Sequence, residues 1–502
     1  MSFNLYWGDL HNHCSVSYGH GTVKQALLRA RQQLDFCSIT GHAFWPDMPT
    51  DRAVYAEIID YHHEGFARLA RNWASLLKQQ AEAAREGEFV VFPSYEWHSR
   101  AYGDHNVYSM TPELALRDAP DLPALREVAR QSGALTIPHH IGYAAGYRGI
   151  DWDHFAEERS PFVEIYSLHG CSVAERAPLP MLHDMGPRDA GSTAEEGWRR
   201  GFKFGIVGCT DHHAGYPGSH GDGRMGVFAK GLTRADLWEA FRARRVYAAT
   251  GDKIDARLFV DGAWIGETIH APGRRRLKLC VRALDSIQLV EVLKNGRVLR
   301  RLFPAPAAEP SGAAAYRLRF TWGWGLKKSP VRWDLGLTLS EGELGRVDSG
   351  FSGQAVVSPK AGAVNGDEEV PDDEDLPHEV LEATAKAVRW RSVTAGNLSM
   401  RHGTMQELSV ELTAPPGAKV RVECNGQRFE HTLEELRFGG RAHYLRGWRS
   451  EALRIGPLVP KGECTVEAEF EDEPERETDV YRLQAGQHNG QWVWLTPVWA
   501  GR

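Results

Sequence analysis

Two histidines one residue apart stand near the start of the chain, in the stretch GDLHNH at positions 8–13. They directly follow the apolar stretch FNLYW. Side chains on a strand repeat with a period of two, so His11 and His13 are expected to point to the same side. Two imidazoles on one side can bind one metal ion, but a pair held by hydrogen bonds at a strand end would explain these two residues equally well. The rest of the chain decides between the two interpretations.

Residue types that bind metals accompany five further apolar stretches. These are FCSIT before His42, VVFPSY before Glu96 and His98, ALTIP before His139 and His140, FVEIYSLHG with Glu164 and His169, and GIVGCT before Asp211, His212 and His213. Sixteen of the 22 histidines precede residue 255, so chemistry is expected in the first half. Imidazoles combined with carboxylates suit zinc, manganese or iron, and one carboxylate can bridge two ions. The six stretches together predict a metal centre.

Helical patterns separate these apolar stretches and must position them. They include VKQALLRARQQL, the long stretch 52–85, PALREVARQSG and GWRRGFKF. Short apolar strands that alternate with helical patterns predict a parallel sheet or an α/β barrel. The carboxyl ends of barrel strands converge on one face, so ligands far apart in sequence can meet around one centre.

The ordered motifs of the first half resemble those of a known superfamily. DLHNH, SITGH, PSYEWHS, HNVY, IPHH and GCTDHH, within about residues 5–215, resemble the motifs of the PHP superfamily, named for polymerase and histidinol phosphatase. LTRADLWEAFRARRVYAATGDKI and DVYRLQAGQHNGQWVWLTPVW further resemble a bacterial PHP-like family of unknown function with a β-rich C-terminal region. The resemblance implies an α/β fold, a distorted (β/α)7 barrel followed by a β-rich region, and two or three divalent metal ions as cofactors (manganese, zinc or iron).

The resemblance also implies a ligand set for each ion. The sets are His11, His13, Glu96 and Asp211 for the first ion, Glu96 as a bridge with His105 and His139 for the second, and His42, His213 and possible His20 for the third. Spacing leaves the choice between His139 and His140 open, and it does not exclude His98 or His212.

Two positions depart from the superfamily pattern. The second motif usually reads Thr-Asp-His, and here Gly41 stands in place of the aspartate. The Ser-Asp-Gly that usually follows the first motif has Tyr18 at its centre. Carboxylates around a metal site orient the ligating imidazoles. The missing carboxylates therefore bear on the third ion and not on the first two.

The second half of the chain has a different pattern. From about Ile254 short alternating strands replace the helical patterns, and Asn-Gly pairs at 295–296 and 425–426 are strong hairpin signals. We expect a barrel over residues 1–253 and a β-sandwich-like region over 254–502. The acidic stretch VNGDEEVPDDEDLPHE at 364–379 predicts a mobile insertion loop near 360–380. The β-rich region is expected to bind substrate or another subunit, or to cover an apolar flank of the barrel.

Composition limits the classes of partner. A formal net charge of −7 argues against nucleic-acid binding. The sequence shows no signal-peptide pattern and no run of about eighteen apolar residues, so a cytoplasmic protein without a membrane contact is expected. Seven scattered cysteines without a C-x-x-C pair are typical of reduced thiols. A small, anionic substrate is expected, and a homo-oligomer is possible.

A metal-dependent hydrolase is the function that these residues favour. Two cations that share a water lower its pKa and neutralise charge on a phosphoryl oxygen, so a phosphoesterase acting on a small molecule is the leading hypothesis. A hydrolase or lyase acting on a carbon centre (ester, lactone or amide) and a non-catalytic binding protein are the alternatives. We expect His213 or His169 to act as general acid. Arg148, with Arg100 and Arg224 as further candidates, is expected to clamp an anion.

Overall fold

The computed structural model describes residues 3–182, 185–306, 312–323, 330–353, 378–394, 405–446 and 451–502. The acidic insertion predicted near 360–380 lies outside these residues except for its last three, 378–380. Within the described ranges, no helix combines the length and the apolar character that a membrane crossing requires.

The first half alternates short strands with helices. Its strands are β1 (Asn4–Asp9), β2 (Phe36–Cys37), β3 (Thr40–Phe44), β4 (Val90–Val91), β5 (Ser94–Trp97), β6 (His105–Tyr108), β7 (Leu135–Pro138), β8 (Phe162–Ser167), β9 (Gly170–Cys171), β10 (Gly205–Gly208), β11 (Arg224–Ala229) and β12 (Val246–Ala249). Its helices are α1 (Val23–Arg31), α2 (Arg52–Ala83), α3 (Leu122–Ser132), α4 (Ala194–Arg199) and α5 (Arg234–Arg242).

Helix boundaries follow local capping chemistry. The Thr22 side chain accepts from the backbone of Gln25, and the Gln25 side chain accepts from the backbone of Thr22, which forms a capping box at the start of α1. Asp121 caps α3. Gly133 ends α3 in the left-handed conformation (φ 71°), which glycine adopts without a steric cost. These caps satisfy backbone groups that a helix end leaves without partners.

Strands of the first half fall into several hydrogen-bonded sheets. β1 pairs with β2 and β2 with β4 in parallel, and β3 pairs in parallel with β5. β6 is antiparallel to both β5 and β7, which differs from an all-parallel sheet. β8 and β10 are parallel. Beyond the strand ends, the segments after β1 and β10 meet, because the Asp211 N–H donates to the His11 carbonyl at 2.7 Å. The seven-stranded barrel stays a prediction.

The second half consists almost entirely of strands. They are β13 (Asp255–Val260), β14 (Thr268–His270), β15 (Arg275–Arg282), β16 (Ile287–Lys294), β17 (Arg297–Leu302), β18 (Ala314–Gly323), β19 (Val331–Leu339), β20 (Glu343–Gly350), β21 (Glu379–Ala383), β22 (Ala387–Thr394), β23 (Gln406–Ala414), β24 (Lys419–Cys424), β25 (Gln427–Thr432), β26 (Arg441–Tyr444), β27 (Ala452–Pro460), β28 (Thr465–Asp472), β29 (Thr478–Gln487), β30 (Trp492–Leu495) and β31 (Val498–Gly501), with the helix α6 (Leu433–Arg437).

Two five-stranded sheets of this half share one apolar core. One sheet has the order β20-β23-β18-β27-β26 and the other β21-β22-β19-β24-β25. Trp322 from the first sheet and Trp333 and Trp390 from the second are buried in that core. Both predicted hairpins are confirmed, because Asn295-Gly296 joins β16 to β17 and Asn425-Gly426 joins β24 to β25. All four residues have positive φ, as the two-residue hairpin turn requires.

The largest sheet contains strands from both halves of the chain. β12 pairs antiparallel with β30, and β11 pairs with both β12 and β1. β29 continues this sheet through β30 and β31. Backbone hydrogen bonds within one sheet therefore join strands that precede residue 253 to strands that follow it. A domain boundary at residue 253 stays a prediction.

Candidate metal centre

A cluster of histidines and carboxylates lies at the carboxyl ends of the first-half strands. Four of its positions come shortly after the ends of β1, β7 or β10, and two lie within β3 and β5. These residues are His11, His13, His139 and Asp211 after the strands, and His42 and Glu96 within them. Each is buried. Together with His213, described below, seven of the nine predicted ligands lie close together in the structure.

His11, His13 and Asp211 form the tightest group. The Nε2 atoms of the two histidines lie 3.2 Å apart. Asp211 Oδ1 lies 3.3 Å from His11 Nε2 and 3.0 Å from His13 Nε2. Two imidazole nitrogens and a carboxylate oxygen that converge in this way are the donor set expected around a transition metal.

Glu96 faces this group with one oxygen and a different histidine with the other. Its Oε2 lies 3.5 Å from His13 Nε2 and 3.3 Å from His42 Nε2. Its Oε1 lies 3.0 Å from His139 Nε2. Burial raises the pKa of Glu96, but neighbouring histidines, His98 and His139 foremost, hold it well below its usual value. An ionised carboxylate that faces two sides is suited to bridge two cations.

His42 and His213 complete a third group with His13. The Nδ1 of His213 donates to the Asp211 carbonyl oxygen at 2.9 Å, so its Nε2 keeps a lone pair for a ligand. His42 Nδ1 lies 3.1 Å from the Ser17 hydroxyl. The ring of Tyr18 stacks on the ring of His42 with centroids 3.5 Å apart. Ser17 and Tyr18 therefore orient His42 without the carboxylate that the superfamily pattern has.

The other departure, at Gly41, lies in close contact with helix α2. A Cβ atom at this position would lie 2.4 Å from Cδ1 of Leu69 in α2. Helix α2 packs this closely over β3, and an aspartate side chain would collide with it. Gly65 in the same helix has an equivalent role, because a Cβ there would lie 2.4 Å from the Tyr18 ring. Gly41 and Gly65 thus mark the places where α2 lies close to β3 and to the ring of Tyr18.

Glu164 lies behind His11 and not among the ligand atoms. Its Oε2 is 2.8 Å from His11 Nδ1, which directs His11 Nε2 toward His13 and Asp211. Burial alone would lower the pKa of His11, but Asp211 and Glu164 outweigh it and raise that pKa to about 10. Burial raises the pKa of Glu164 to about 7. A cation between His11 and Asp211 would replace the proton that His11 otherwise carries.

Two predicted ligands are not in the cluster. The Nδ1 of His105 lies 2.9 Å from the Gly103 carbonyl oxygen, and burial lowers the pKa of His105 to about 3. The backbone N–H of His20 donates to the His213 carbonyl at 2.7 Å. Neither side chain belongs to any metal-compatible group among the described residues. The structure therefore does not bring His105 and His20 together with the other predicted ligands, and their ligand roles stay predictions. Because side chains alternate along β6, Asp104 faces the cluster where His105 faces away.

Asp104 is the ligand-type residue that sequence reasoning missed. Asp104, Glu96, His139 and His140 offer ligand atoms within 4.8 Å of one another, and Glu96 does so again with His42 and His98. His139 and His140 thus both belong to this group, so neither of them has to be excluded as a ligand. The signal for Asp104 was its position one residue before His105, in the strand that brings alternate side chains to the centre.

Of the residues predicted to act on the substrate, His169 and Arg148 reach the histidine cluster, whereas Arg100 and Arg224 do not. His169 Nε2 lies 3.0 Å from Asp211 Oδ2, and its Nδ1 lies 3.3 Å from the Tyr143 hydroxyl. Arg148 reaches the cluster, where its Nε donates to Asp104 Oδ2 at 2.6 Å. Arg100 is exposed, and the guanidinium of Arg224 is buried and donates to the Gly218 carbonyl. Only Arg148 of the three arginines reaches the histidine cluster with its side chain.

The donor set fits metal ions on three observations. The cluster combines imidazole and carboxylate donors in a buried environment, where charges need partners. Glu96 Oε2 is buried and has no hydrogen-bond partner among the described residues. It nevertheless faces three histidine Nε2 atoms, those of His11, His13 and His42. A shared cation would satisfy all four atoms.

Comparison with known proteins gives relatives without an assigned activity. Residues 219–273 match the model of a family described as a protein of unknown function, DUF3604. An uncharacterised protein of Chlamydia pneumoniae is 29% identical over 323 residues, which is 60% of this chain and 49% of that protein. An uncharacterised protein of Chlamydia trachomatis serovar D is 22% identical over 324 residues, with the same two shares. The chain spans about half the length of the curated relatives that it matches.

Among solved structures, the chain has weak similarity to a two-domain protein of Bacteroides vulgatus. That protein is described as containing a predicted PHP-like metal-dependent phosphoesterase. The sequence identity is 14%, the TM-score is 0.33, and the match covers 58% of this chain and 79% of that one.

Proposed function

We propose that the protein is a metal-dependent hydrolase, and that its favoured reaction is hydrolysis of a phosphoester on a small molecule. The observation that carries the proposal is the position of Glu96, with one oxygen toward His13 and His42 and the other toward His139. A buried carboxylate in that position is stabilised if it lies between two cations. Without cations, burying its charge would destabilise the fold.

The residues fit at least two cation positions. One would be held by His11, His13 and Asp211, and a second by Glu96 with His139. The resemblance implied His105 as a further ligand of the second ion. His42 and His213 would hold a third. Bound divalent cations lower the pKa of water to produce a nucleophile and neutralise charge on a phosphoryl oxygen.

Protein groups around these cation positions orient the ligands and hold protons at defined atoms. Glu164 fixes the ring of His11 and determines which of its nitrogens faces the centre. His169 Nδ1 lies 3.3 Å from the Tyr143 hydroxyl, and its Nε2 lies 3.0 Å from Asp211 Oδ2. Because an ionised carboxylate only accepts hydrogen bonds, His169 is assigned a proton at Nε2. We assign His169 as the donor of a proton to the leaving oxygen. His213 is instead assigned as a ligand, because its Nδ1 proton is used by the Asp211 carbonyl.

A cavity of small-molecule size is lined by residues that follow two cluster histidines in the sequence. Its volume is about 440 Å³, and its lining includes Gly142, Cys171 and Arg188. Gly142 and Cys171 each lie two residues after a cluster histidine, His140 and His169. The part of the substrate that does not react would occupy this cavity, with the Arg188 side chain available for an anionic group.

A hydrolase or lyase acting on a carbon centre is the second candidate. Two of the arginines expected to clamp a phosphate already donate to groups of the protein, and this observation favours the second candidate. Arg148 donates to Asp104 and His98, and Arg224 donates to Gly218 and Gln33. A neutral ester or lactone needs no such clamp, so this arrangement suits it as well.

The test is a substrate panel on protein of defined metal content. The protein is stripped with a chelator and reloaded with manganese, zinc or iron. It is then assayed on phosphomonoesters, phosphodiesters, esters and lactones. Turnover of a phosphoester that is lost on stripping and restored on reloading supports the first proposal, and turnover of esters or lactones alone supports the second. A metal-loaded protein that turns over neither class would be a binding protein.

A further inference from the structure

Arg148 inserts a permanent positive charge into the histidine cluster beside Asp104 and His98. It lies in the loop after β7 and has a left-handed backbone conformation, with φ 70°. Its backbone N–H donates to the Arg100 carbonyl at 3.2 Å. Its guanidinium lies over the ring of Trp45, 5.2 Å from the centroid. The backbone conformation and the stacking together hold this side chain in one direction.

The guanidinium takes up lone pairs that a metal ion would otherwise use. Nε of Arg148 donates to Asp104 Oδ2 at 2.6 Å, and Nη2 makes a second contact with the same carboxylate. Nη2 also lies 2.9 Å from His98 Nδ1. A guanidinium has donors and no acceptor, so His98 Nδ1 must present its lone pair to Arg148. The Arg148 guanidinium thus lies where an ion bound by Asp104 and His98 would lie.

Both oxygens of Asp104 are used by the protein itself. Oδ1 accepts from the backbone N–H of Ser99 at 2.9 Å, and Oδ2 accepts from Arg148. Asp104 is fully buried. The guanidinium beside it means that the counter-charge of this buried carboxylate is supplied by the chain itself.

Asp104 and His98 are nevertheless metal-ligand types in metal-compatible groups. Asp104 groups with Glu96, His139 and His140, and His98 groups with Glu96 and His42. Without Arg148, the Asp104–His98 side of Glu96 would present the same kind of donor set as the His11–His13 side. The difference between the two sides is the guanidinium.

We propose that Arg148 is an internal cation that takes the place of a metal ion beside Asp104 and His98. This inference rests on the proposed metal centre and limits the number of ions that the centre binds. A guanidinium stays charged at all physiological pH values and needs no metal supply. It supplies one positive charge where a divalent ion would supply two, so it also sets the net charge of the centre.

The test compares metal stoichiometry in wild-type protein and in Arg148 variants. Arg148→Gln removes the charge and keeps most of the side-chain length, and Arg148→Ala removes the side chain. Stripped proteins are titrated with Co²⁺, and bound equivalents are measured by elemental analysis and by visible absorption. We expect Arg148→Gln or Arg148→Ala to bind one equivalent more than wild type. The double variant Arg148→Gln/Asp104→Asn should return to the wild-type number, because the vacated position has then lost its carboxylate.

The possible results are distinct. Circular dichroism of each variant first shows whether it is folded, and the glutamine variant serves if the alanine variant does not fold. Folded variants that bind the wild-type number of ions overturn the internal-cation role while leaving the proposed function intact. Wild-type protein that binds no Co²⁺ overturns both. A gain of one equivalent that persists in the double variant also overturns the inference, because the extra ion would then lie elsewhere.

Discussion

Glu96 and Asp252 are both buried carboxylates surrounded by nitrogen atoms, but their surroundings differ in kind. Asp252 receives hydrogen bonds from Arg319 at 2.6 Å and from Gln487 and Asn489 at 2.8 Å each. His220 Nε2 lies 2.8 Å from its other oxygen. Glu96, by contrast, faces only histidine nitrogens, and its Oε2 has no hydrogen-bond partner in the described part of the chain.

The Asp252 cluster is built for stability. Arg319 comes from β18, Gln487 from β29, and Asp252 from the segment after β12, so the cluster joins the two halves of the protein. Arg319 also pairs with Glu407 at 2.5 Å and Asp285 at 3.3 Å. The chain itself supplies every charge and donor in this cluster.

The contrast shows how to distinguish a structural from a functional buried cluster. Buried charges are tolerated when the protein pairs them, as at Asp252. In the histidine cluster most nitrogens are acceptors or weakly basic, so the charge that would pair Glu96 and Asp211 has to come from elsewhere. Arg148 is the exception on one side of the cluster, and metal ions are the proposed source on the other.

The largest effect on stability is expected from breaking the Asp252 cluster. Arg319→Leu leaves two buried carboxylates, Asp252 and Asp285, and the partly exposed Glu407 without their common cation, and it should lower the free energy of unfolding by about 3–5 kcal/mol. Denaturant unfolding measures the change. Arg274→Leu is the matched control, because Arg274 is paired with Glu471 and Glu473 on the surface, and its loss should cost less than about 1 kcal/mol. Equal effects of the two variants would contradict the structural role of the Asp252 cluster. Metal content should change in neither.

The largest effect on turnover is expected at Glu96. Glu96→Gln keeps the volume and removes the charge, so two cations would repel each other with less between them. We expect loss of one metal equivalent and a fall in kcat of at least roughly a hundredfold, or about 2.7 kcal/mol of transition-state stabilisation. Elemental analysis and steady-state kinetics measure both. Wild-type metal content and turnover in this variant would show that Glu96 does not bridge.

A smaller effect is expected at Glu164. Glu164→Gln still accepts a hydrogen bond from His11 but loses the charge that helps to orient it, so both ions should be retained and turnover should fall about tenfold. His105→Gln is the matched control, because this side chain can still donate to the Gly103 carbonyl and lies in none of the described metal-compatible groups. It should leave metal content and turnover unchanged. A loss of metal in the His105 variant, or an intact rate in the Glu164 variant, would reverse this ranking.

The convergence of seven metal-ligand candidates was predictable because each accompanies an apolar stretch of the sequence. His11 and His13, two residues apart after an apolar strand, were expected to share a side, and Glu96, His139 and Asp211 each come after a comparable apolar stretch. The hairpins at Asn295 and Asn425 were predictable for an equally local reason, since a two-residue turn with positive φ favours Asn-Gly.

Sequence reasoning fell short where tertiary contacts decide. The resemblance implied His105, and only the pairing of β6 with β5 and β7 shows that the neighbouring Asp104 faces the centre. The pairing of Arg148 with Asp104 spans 44 residues and depends on a left-handed residue in a loop. The sheet that joins β12 to β30 depends on a contact across nearly 250 residues. Local patterns contain no signal for such contacts.

The measurement that tests the central claim most directly is the metal content of protein purified without a chelator. Wild-type protein should contain at least two equivalents of transition metal per chain. The double variant His11→Ala/His13→Ala removes two ligands of one position and should contain one equivalent or fewer. Elemental analysis of the wild-type protein that detects no bound metal, in a preparation that is folded, would contradict the account.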